Sequence, residues 1–336
     1  MLQSLNELLS AVAEKGGSDL HLSAQNVPIM RINGFIVNLA GNDPLQPEDC
    51  ERFCHDVLSD VQFHQLNTRG DADASYVCKS TVTNVCLRTR VNVFKDSRGI
   101  SFAFRLIHHK IPSVKSLGIP ESVLKLTEKP HGLVIVTGPT GSGKTTTLAA
   151  LLETINMSKN LHMITIEDPI EYMYEGKAAL ISQREVGRDC DSFRSGLKAA
   201  LREDPNVILV GEMRDAETIS TALFAAETGH LVFATLHTAN VVEALDRMLQ
   251  YFPAEAHRQM RMEIANCFEG ILAQKLLLRK NGGRVAAFEV LLRNVASINL
   301  IRSGEAFRLT DYMHSEPGMQ TMEDALQGLR NIGQIE

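Results

Sequence analysis

The first part of the chain is dominated by short segments in which apolar and polar residues alternate. A helix precedes them, because apolar residues recur at helical spacing from Leu2 to Val12 before the Gly16-Gly17 pair. Period-two alternation and β-branched residues then predict strands. The predicted strands are 19–22, 29–39, 74–83, 85–94 and 100–105, with one helix near 48–67. We therefore expect a mainly stranded domain with a few helices, over residues 1–111.

A different pattern follows residue 130. Short apolar runs at 133–137 and 207–210 are each followed by apolar residues at helical spacing, such as Leu148 to Ile155. Strands that alternate with amphipathic helices are typical of an α/β domain with a largely parallel sheet and helices on both faces. This domain is predicted over residues 131–336.

Between the two patterns, prolines and glycines break the chain into short pieces. Pro112, Gly118, Pro120 and Pro130 lie in this stretch. Such a composition is suited to an interdomain connection, so residues 112–130 are predicted as a linker.

One motif has the structural context that gives it meaning. The sequence GPTGSGKT at residues 138–145 matches Gly-x-x-x-x-Gly-Lys-Thr and joins a predicted strand to a predicted helix. Glycines allow backbone N–H groups to face phosphate oxygens, and the helix adds the positive end of its dipole. Lys144 is placed for the β- and γ-phosphates and the Thr145 hydroxyl for Mg²⁺. The candidate ATP-binding residues are Gly138, Pro139, Thr140, Gly141, Ser142, Gly143, Lys144, Thr145 and Thr146.

Acidic residues follow two apolar runs of the second domain. Phosphoryl transfer requires a held Mg²⁺ and a water directed at the γ-phosphate. Glu167 and Asp168 follow a run that ends at Ile166, and Glu212 follows the run 207–210. Ligands bind at the carboxyl ends of strands in open α/β sheets. Glu167 and Glu212 are therefore candidate catalytic residues and, with Thr145, candidate Mg²⁺ ligands; the alternative is a solvated acid at a strand end.

A third apolar run ends near His237, in the segment GHLVFATLHTAN. A histidine at this position can donate to a phosphate or bind a catalytic carboxylate. The alternative is a histidine that caps its strand. His237 is included among the candidate catalytic residues.

Four segments together resemble the secretion ATPases of type II secretion, type IV pilus and type IV secretion systems. They are the phosphate loop, ITIEDPIEY, ALREDPNVILVGEMRD and TGHLVFATLHT. Further similarity at SDLHLS, FPAEAHRQMR and GRVAAFEVL extends the resemblance over nearly the whole chain, and within the family the pilus retraction motors are the most similar. The resemblance implies a PAS-like α+β domain, a RecA-like ATPase domain and a homohexamer. It also implies retraction of a type IV pilus through an inner-membrane platform protein, with a paralogous pilus ATPase as a possible partner.

The same resemblance implies residue roles. The acid at Glu212 is catalytic in the family, and the acid at Glu167 polarises water or supports the metal. Family arginines from the N-terminal domain reach the nucleotide phosphates, and Arg90 and Arg105 lie in the matching segment RVNVFKDSRGISFAFR. Such cations would neutralise the negative charge that accumulates on the phosphates during phosphoryl transfer. The alternative is that both arginines only form ion pairs at the surface.

Other functions remain open at this point. An accessory retraction ATPase, or an assembly or export ATPase of the same superfamily, shares the motifs. The chain has Ser297 and Ile298 where retraction motors usually have Ile and Arg, which puts partner contacts in doubt rather than hydrolysis. A nucleic-acid translocase and a non-hydrolysing nucleotide-binding scaffold are further alternatives.

The amino-acid composition bears on which kinds of molecule the chain binds. The chain of 336 residues has 34 basic and 40 acidic residues, a net charge of -6. This overall charge does not favour binding to nucleic acid or to an anionic membrane. No apolar stretch is long enough for a bilayer span, and the N-terminus carries Glu7 and Glu14 where a signal peptide has basic residues. We expect a cytoplasmic protein, peripheral at the inner membrane, with no membrane insertion.

Overall fold

The computed structural model describes residues 4–32, 34–81, 86–107 and 111–336. The chain forms two compact units, residues 1–109 and residues 110–336. Each unit has its own sheet and its own hydrophobic core, so each is described separately. Within the described part of the chain, no helix is long and apolar enough to span a membrane.

The first unit combines three helices with one antiparallel sheet in its described residues. In chain order its elements are α1 (Leu5–Glu14), β1 (Asp19–Ser23), β2 (Ile29–Ile32), β3 (Phe35–Asn38), α2 (Pro47–Val57), α3 (Asp60–Arg69), β4 (Asp71–Lys79), β5 (Cys86–Asp96) and β6 (Gly99–Leu106). The strand order is β3-β2-β1-β6-β5-β4. Leu9, Phe53, Phe102 and Phe104 are fully buried where helices meet the sheet. The unit is the predicted mixture of strands and helices.

Two predicted elements of this unit are each divided in two. The run 29–39 forms an antiparallel hairpin of β2 and β3, with Gly34 in the left-handed region (φ 87°) between them. The predicted helix 48–67 is α2 and α3, because Ser59 starts a new helix with a reciprocal capping pair to Gln62. The predicted strand ends at Thr83 and Val85 lie outside the described residues.

The second unit alternates strands with helices. Its elements are α4 (Val114–Leu117), α5 (Glu121–Leu124), a 3₁₀ helix (Lys125–Glu128), β7 (Gly132–Thr137), α6 (Lys144–Ser158), β8 (His162–Glu167), β9 (Leu180–Glu185), α7 (Phe193–Ala200), β10 (Val207–Val210), α8 (Ala216–Glu227), β11 (Leu231–Thr235), α9 (Val241–Gln250), a 3₁₀ helix (Ala254–Ala256), α10 (His257–Cys267), β12 (Phe268–Leu278), β13 (Arg284–Leu292), α11 (Val295–Ser303), a 3₁₀ helix (Ala306–Arg308), α12 (Leu309–Ser315) and α13 (Met322–Asn331).

Its strands form a seven-stranded sheet in the order β13-β12-β7-β11-β10-β8-β9. Neighbouring strands from β12 to β9 pair in parallel, and β13 is antiparallel to β12. Successive residues of β7 enter different cores: Leu133 and Ile135 belong to one cluster, Val134 and Val136 to the other. Helices therefore cover both faces of the sheet, as the apolar pattern predicts.

The segment predicted as a linker, residues 112–130, contains α4, α5 and the first 3₁₀ helix. Ile119, Val123 and Leu126 are buried in the core next to α6 and β7. Gly118 (φ 67°) ends α4, so this glycine marks a turn between short packed helices. The domain limits at residues 111 and 131 stay predictions.

Candidate active site

Four parallel strands of the second sheet end at the same edge. β7, β11, β10 and β8 pair in parallel, so their carboxyl ends lie side by side. Their last residues are Thr137, Thr235, Val210 and Glu167. The loop 138–143, both acidic segments and His237 follow these ends, at the edge where open α/β sheets bind ligands.

The loop from β7 to α6 turns on glycines in the left-handed region. Gly138, Gly141 and Gly143 have φ values of 148°, 79° and 89°. A Cβ at Gly138 would lie 2.5 Å from the backbone oxygen of Gln274, and a Cβ at Gly143 would lie 2.9 Å from its side-chain nitrogen. Side chains are therefore excluded at both positions. α6 begins directly after Gly143, so the free N–H groups of its first turn border the loop.

The buried side-chain amide of Gln274 in β12 forms hydrogen bonds with both this loop and α6. Its Nε2 donates to the backbone oxygen of Ser142 at 2.8 Å, and its Oε1 accepts from the Thr147 hydroxyl at 2.8 Å. The sequence analysis missed this residue. Its only sequence signal is a single uncharged polar residue within the run GILAQKLLL.

Lys144 is buried beneath the loop. Its Nζ donates to the backbone oxygens of Gly138 at 2.7 Å and Pro139 at 3.2 Å, and lies 3.5 Å from Nδ1 of His237. Burial lowers the pKa of the ammonium group, whereas the charge of Glu212 favours the protonated form. The ammonium group of Lys144 therefore lies between the phosphate loop and the acidic side chain of Glu212.

Glu167 is the last residue of β8 and its side chain is buried. Its Oε1 accepts from the Thr165 hydroxyl at 2.7 Å and from Nε2 of Gln183 at 3.4 Å. Burial raises the pKa of this carboxyl to about 7, although both hydrogen bonds favour the ionised form. A carboxyl of this kind changes its charge near neutral pH.

Glu212 has a different partner at each of its carboxylate oxygens. Oε2 accepts from Nε of Arg214 at 2.6 Å, and Oε1 lies 3.4 Å from Nε2 of His237. The other ring nitrogen of His237 faces Lys144. The predicted histidine therefore lies between the predicted catalytic acid and the lysine of the phosphate loop.

A cavity of about 480 Å³ brings the predicted residues of this unit together. From the predicted set, the residues that line it are Thr140, Gly141, Gly143, Lys144, Thr145, Thr146, Glu167, Glu212 and His237. Gly138 and Pro139 contribute carbonyl groups to Lys144 instead. The Ser142 hydroxyl is buried and has no hydrogen-bond partner among the described residues. The volume lies within the range of small-ligand sites.

The donor atoms of this cavity fit Mg²⁺. Thr145, Glu167 and Glu212 offer oxygen atoms, which Mg²⁺ prefers. In the described part of the chain, no group of three or more His, Cys, Asp or Glu side chains could hold a metal by itself. Mg²⁺ usually binds through one or two carboxylates together with water and substrate phosphates, so an incomplete protein cage agrees with a metal that arrives with nucleotide.

Arg90 and Arg105 belong to the first unit. They lie directly opposite each other in β5 and β6. Nε of Arg105 is 3.0 Å from Oδ1 of Asp19, and the Arg105 side chain is 75% exposed. Arg90 is also exposed. Two cations thus share one face of the sheet, and their action on a nucleotide stays a prediction.

The two histidines of the third segment lie at opposite ends of β11. His237 follows the strand at the cavity, whereas His230 precedes it. Nδ1 of His230 is 3.0 Å from the backbone oxygen of Ala225 in α8. His230 therefore caps local structure, and His237 is the histidine available to the site.

The pKa of Glu167 leads to a prediction about stability. A carboxyl whose pKa is raised by burial, from 4.5 to about 7, stabilises the folded state at low pH, and this contribution is lost as pH rises through 7. Between pH 5 and pH 8 we expect the unfolding free energy of the wild type to fall relative to Glu167→Gln by roughly 3 kcal/mol at most. Urea unfolding without Mg²⁺ or nucleotide measures this difference, with the exposed Glu217→Gln as control. If the unfolding free energies of wild type and Glu167→Gln differ by the same amount at pH 5 and at pH 8, this prediction is wrong.

Comparison with known proteins identifies the family. Residues 1–285 match the family model described as type II/IV secretion system protein. The chain belongs to this family. Its phosphate loop, both acidic segments and His237 all lie within the matched residues.

Individual relatives agree with this assignment. The chain is 42% identical over 335 residues to the type IV pilus retraction ATPase PilT of Pseudomonas aeruginosa, covering 98% of this chain and 95% of that protein. It is 39% identical over 333 residues to the type IV pilus ATPase PilU of the same organism, covering 98% of this chain and 85% of that protein.

Among solved structures, a crystal structure of the pilus retraction motor PilT with bound ADP aligns with a TM-score of 0.91 and 41% identity, covering 100% of this chain and 95% of that one. The predicted fold class is confirmed: a PAS-like α+β domain is followed by a RecA-like P-loop domain.

Proposed function

We propose that the chain is an ATP-hydrolysing motor that drives type IV pilus retraction. The observation that carries the hydrolytic part is the convergence of Lys144, His237 and Glu212 on one cavity beside the phosphate loop. The pilus part is supported by 42% identity to PilT over nearly the whole of both chains. The PilT structure with bound ADP supports a nucleotide as the ligand.

The residues of the cavity suggest how hydrolysis proceeds. N–H groups of the loop and Lys144 bind the β- and γ-phosphates. Thr145 with Glu167 or Glu212 would hold Mg²⁺, which would neutralise phosphate charge. Glu212 orients a water molecule and accepts its proton. The water oxygen forms a bond to the γ-phosphorus while the bond to the bridging oxygen breaks, so ADP leaves with that electron pair. His237, whose Nε2 lies 3.4 Å from Oε1 of Glu212, can then accept this proton from Glu212.

Retraction requires that this chemistry moves other proteins. In the proposed motor, six copies form a ring, and Arg90 and Arg105 neutralise charge at the nucleotide. Binding of ATP closes the domains and hydrolysis reopens them, which converts binding energy into displacement. The ring acts on an inner-membrane platform protein, which places the chain at the cytoplasmic side of that membrane.

Loss of the gene tests the retraction role. In a strain that makes fluorescently labelled pili, deletion is expected to stop pilus shortening while extension continues. The wild-type gene should restore shortening, and a Glu212→Gln copy should not. Pili that shorten at the normal rate and force in the deletion strain would contradict the proposal. Co-purification with the platform protein tests the partner separately.

An accessory retraction ATPase is the second candidate, because the chain is also 39% identical to PilU. The departure from the retraction-motor sequence falls in α11. Ser297 is buried and donates to the backbone oxygen of Leu292 at 3.0 Å, so it serves the packing of this helix. Ile298 packs against the core in part. Retraction that weakens under load but does not stop in the deletion strain would favour the accessory role.

A further inference from the structure

The guanidinium group of Arg214 lies between the two acidic segments of the cavity. Its Nε donates to Oε2 of Glu212 at 2.6 Å, and its Nη1 lies 3.9 Å from Oδ2 of Asp168. Its central carbon is 5.9 Å from the ring centroid of Phe193. One side chain thus contacts residues that follow β8 and β10 and the first residue of α7.

The backbone fixes where this side chain starts. Met213 is buried, and its N–H donates to the backbone oxygen of Thr235 at 3.1 Å. On the other side, Asp215 caps α8. Arg214 therefore projects towards the cavity from a segment that is held at both ends.

The two side chains of this pair differ in exposure. The Glu212 side chain is 18% exposed, whereas the Arg214 side chain is 59% exposed. Their hydrogen bond of 2.6 Å is charge-assisted, and such bonds are shorter and stronger than those between neutral groups. Because Oε2 of Glu212 is taken by Arg214 and Oε1 faces His237, the rotation of the carboxylate is set.

We infer that Arg214 is a positioning residue for Glu212. It binds one carboxylate oxygen and leaves the other directed at His237 and the water that attacks ATP. This inference rests on the proposed role of Glu212 in hydrolysis. Arg214 lines the cavity, but in this role it acts through Glu212, so its loss should slow turnover without weakening nucleotide binding.

Arg214→Gln is expected to lower kcat by roughly 10- to 100-fold, because a misplaced catalytic group loses its alignment with the reacting atoms. KM for ATP and the affinity for ADP should stay within about threefold of wild type. Arg214→Lys keeps the charge but loses the planar fork, so it should recover part of the rate. Arg188→Gln is the matched control and should hydrolyse ATP normally.

A double-mutant cycle separates positioning from a general structural effect. Steady-state ATP hydrolysis is measured for the full chain, Arg214→Gln, Glu212→Gln and the double variant, with thermal unfolding of each. If Arg214 acts through Glu212, the double variant is no slower than Glu212→Gln alone.

Three outcomes would overturn the inference. They are a normal kcat in Arg214→Gln, a loss of ADP affinity in that variant, and a double variant slowed further by the full single-variant factor. A defect that comes only from unfolding would appear in the thermal data, and Arg214→Lys would then show no partial rescue. A wild-type chain that does not hydrolyse ATP contradicts the proposed function itself, whereas normal wild-type turnover with an unaffected Arg214→Gln contradicts this inference alone.

Discussion

Glu212→Gln is expected to release almost no phosphate from ATP while it still binds nucleotide. The substitution keeps the size of the side chain but removes the group that accepts the proton from water. Loss of a positioned general base costs roughly 10²- to 10⁴-fold in rate. Phosphate release and ADP affinity of the full chain, both with Mg²⁺, measure the two parts of the prediction.

The control for this variant is Glu217→Gln. Glu217 lies in the same unit and pairs with Arg194 and Lys198 at the surface, where it is 40% exposed. Glu217→Gln should hydrolyse ATP at the wild-type rate, because exposed ion pairs contribute little to stability. Normal phosphate release by Glu212→Gln would remove this residue from the mechanism.

Lys144→Ala is expected to lose nucleotide affinity by about 100-fold or more, in addition to turnover. A charged donor contributes about 1.5–3 kcal/mol per hydrogen bond, and the lysine is placed for more than one phosphate oxygen. Titration with ATP and ADP measures the loss. Lys198→Ala, an exposed lysine of the same unit, is the control.

Stability has to be checked in this variant. Lys144 also donates to the carbonyl groups of Gly138 and Pro139, so its removal leaves both without that donor. A folded Lys144→Ala chain that binds ATP as tightly as wild type would contradict the assigned role of the lysine.

The parts of the site that the sequence predicts are those that depend on short motifs and on apolar runs of neighbouring residues. The phosphate loop has a fixed spacing of glycines and lysine between a strand and a helix. Glu167 and Glu212 are predicted to lie at this edge because a polar residue that ends an apolar run marks the carboxyl end of a buried strand, and both line the cavity. Parallel pairing then places such ends at one edge, so the cavity follows from the pattern of alternation.

The remaining contacts could not be predicted because they join distant parts of the chain. Gln274 is 132 residues from Ser142, whose backbone it binds, and nothing near Gln274 in sequence indicates this contact. Arg214 comes two residues after Glu212 in the motif GEMRD, but its approach to Asp168 depends on the order of β8 and β10 in the sheet. Sheet order and side-chain packing are properties of the folded chain.

The same limit applies to element boundaries. Apolar spacing continues across residues 48–67, so it predicts one helix, although the capping pair at Ser59 starts a second. Prolines and glycines predict an interdomain connection at 112–130, and Val123 and Leu126 within it are buried, which the spacing of prolines and glycines does not indicate. At Ser59, local chemistry at one residue outweighs the wider apolar pattern.

A crystal structure of the full chain with Mg²⁺ and a non-hydrolysable ATP analogue tests the central claim most directly. The account predicts the γ-phosphate within hydrogen-bond distance of Lys144 Nζ, Mg²⁺ on the Thr145 hydroxyl, and a water between Glu212 and the γ-phosphorus. A triphosphate bound elsewhere, or a Glu212 side chain turned away from the terminal phosphate, would contradict it.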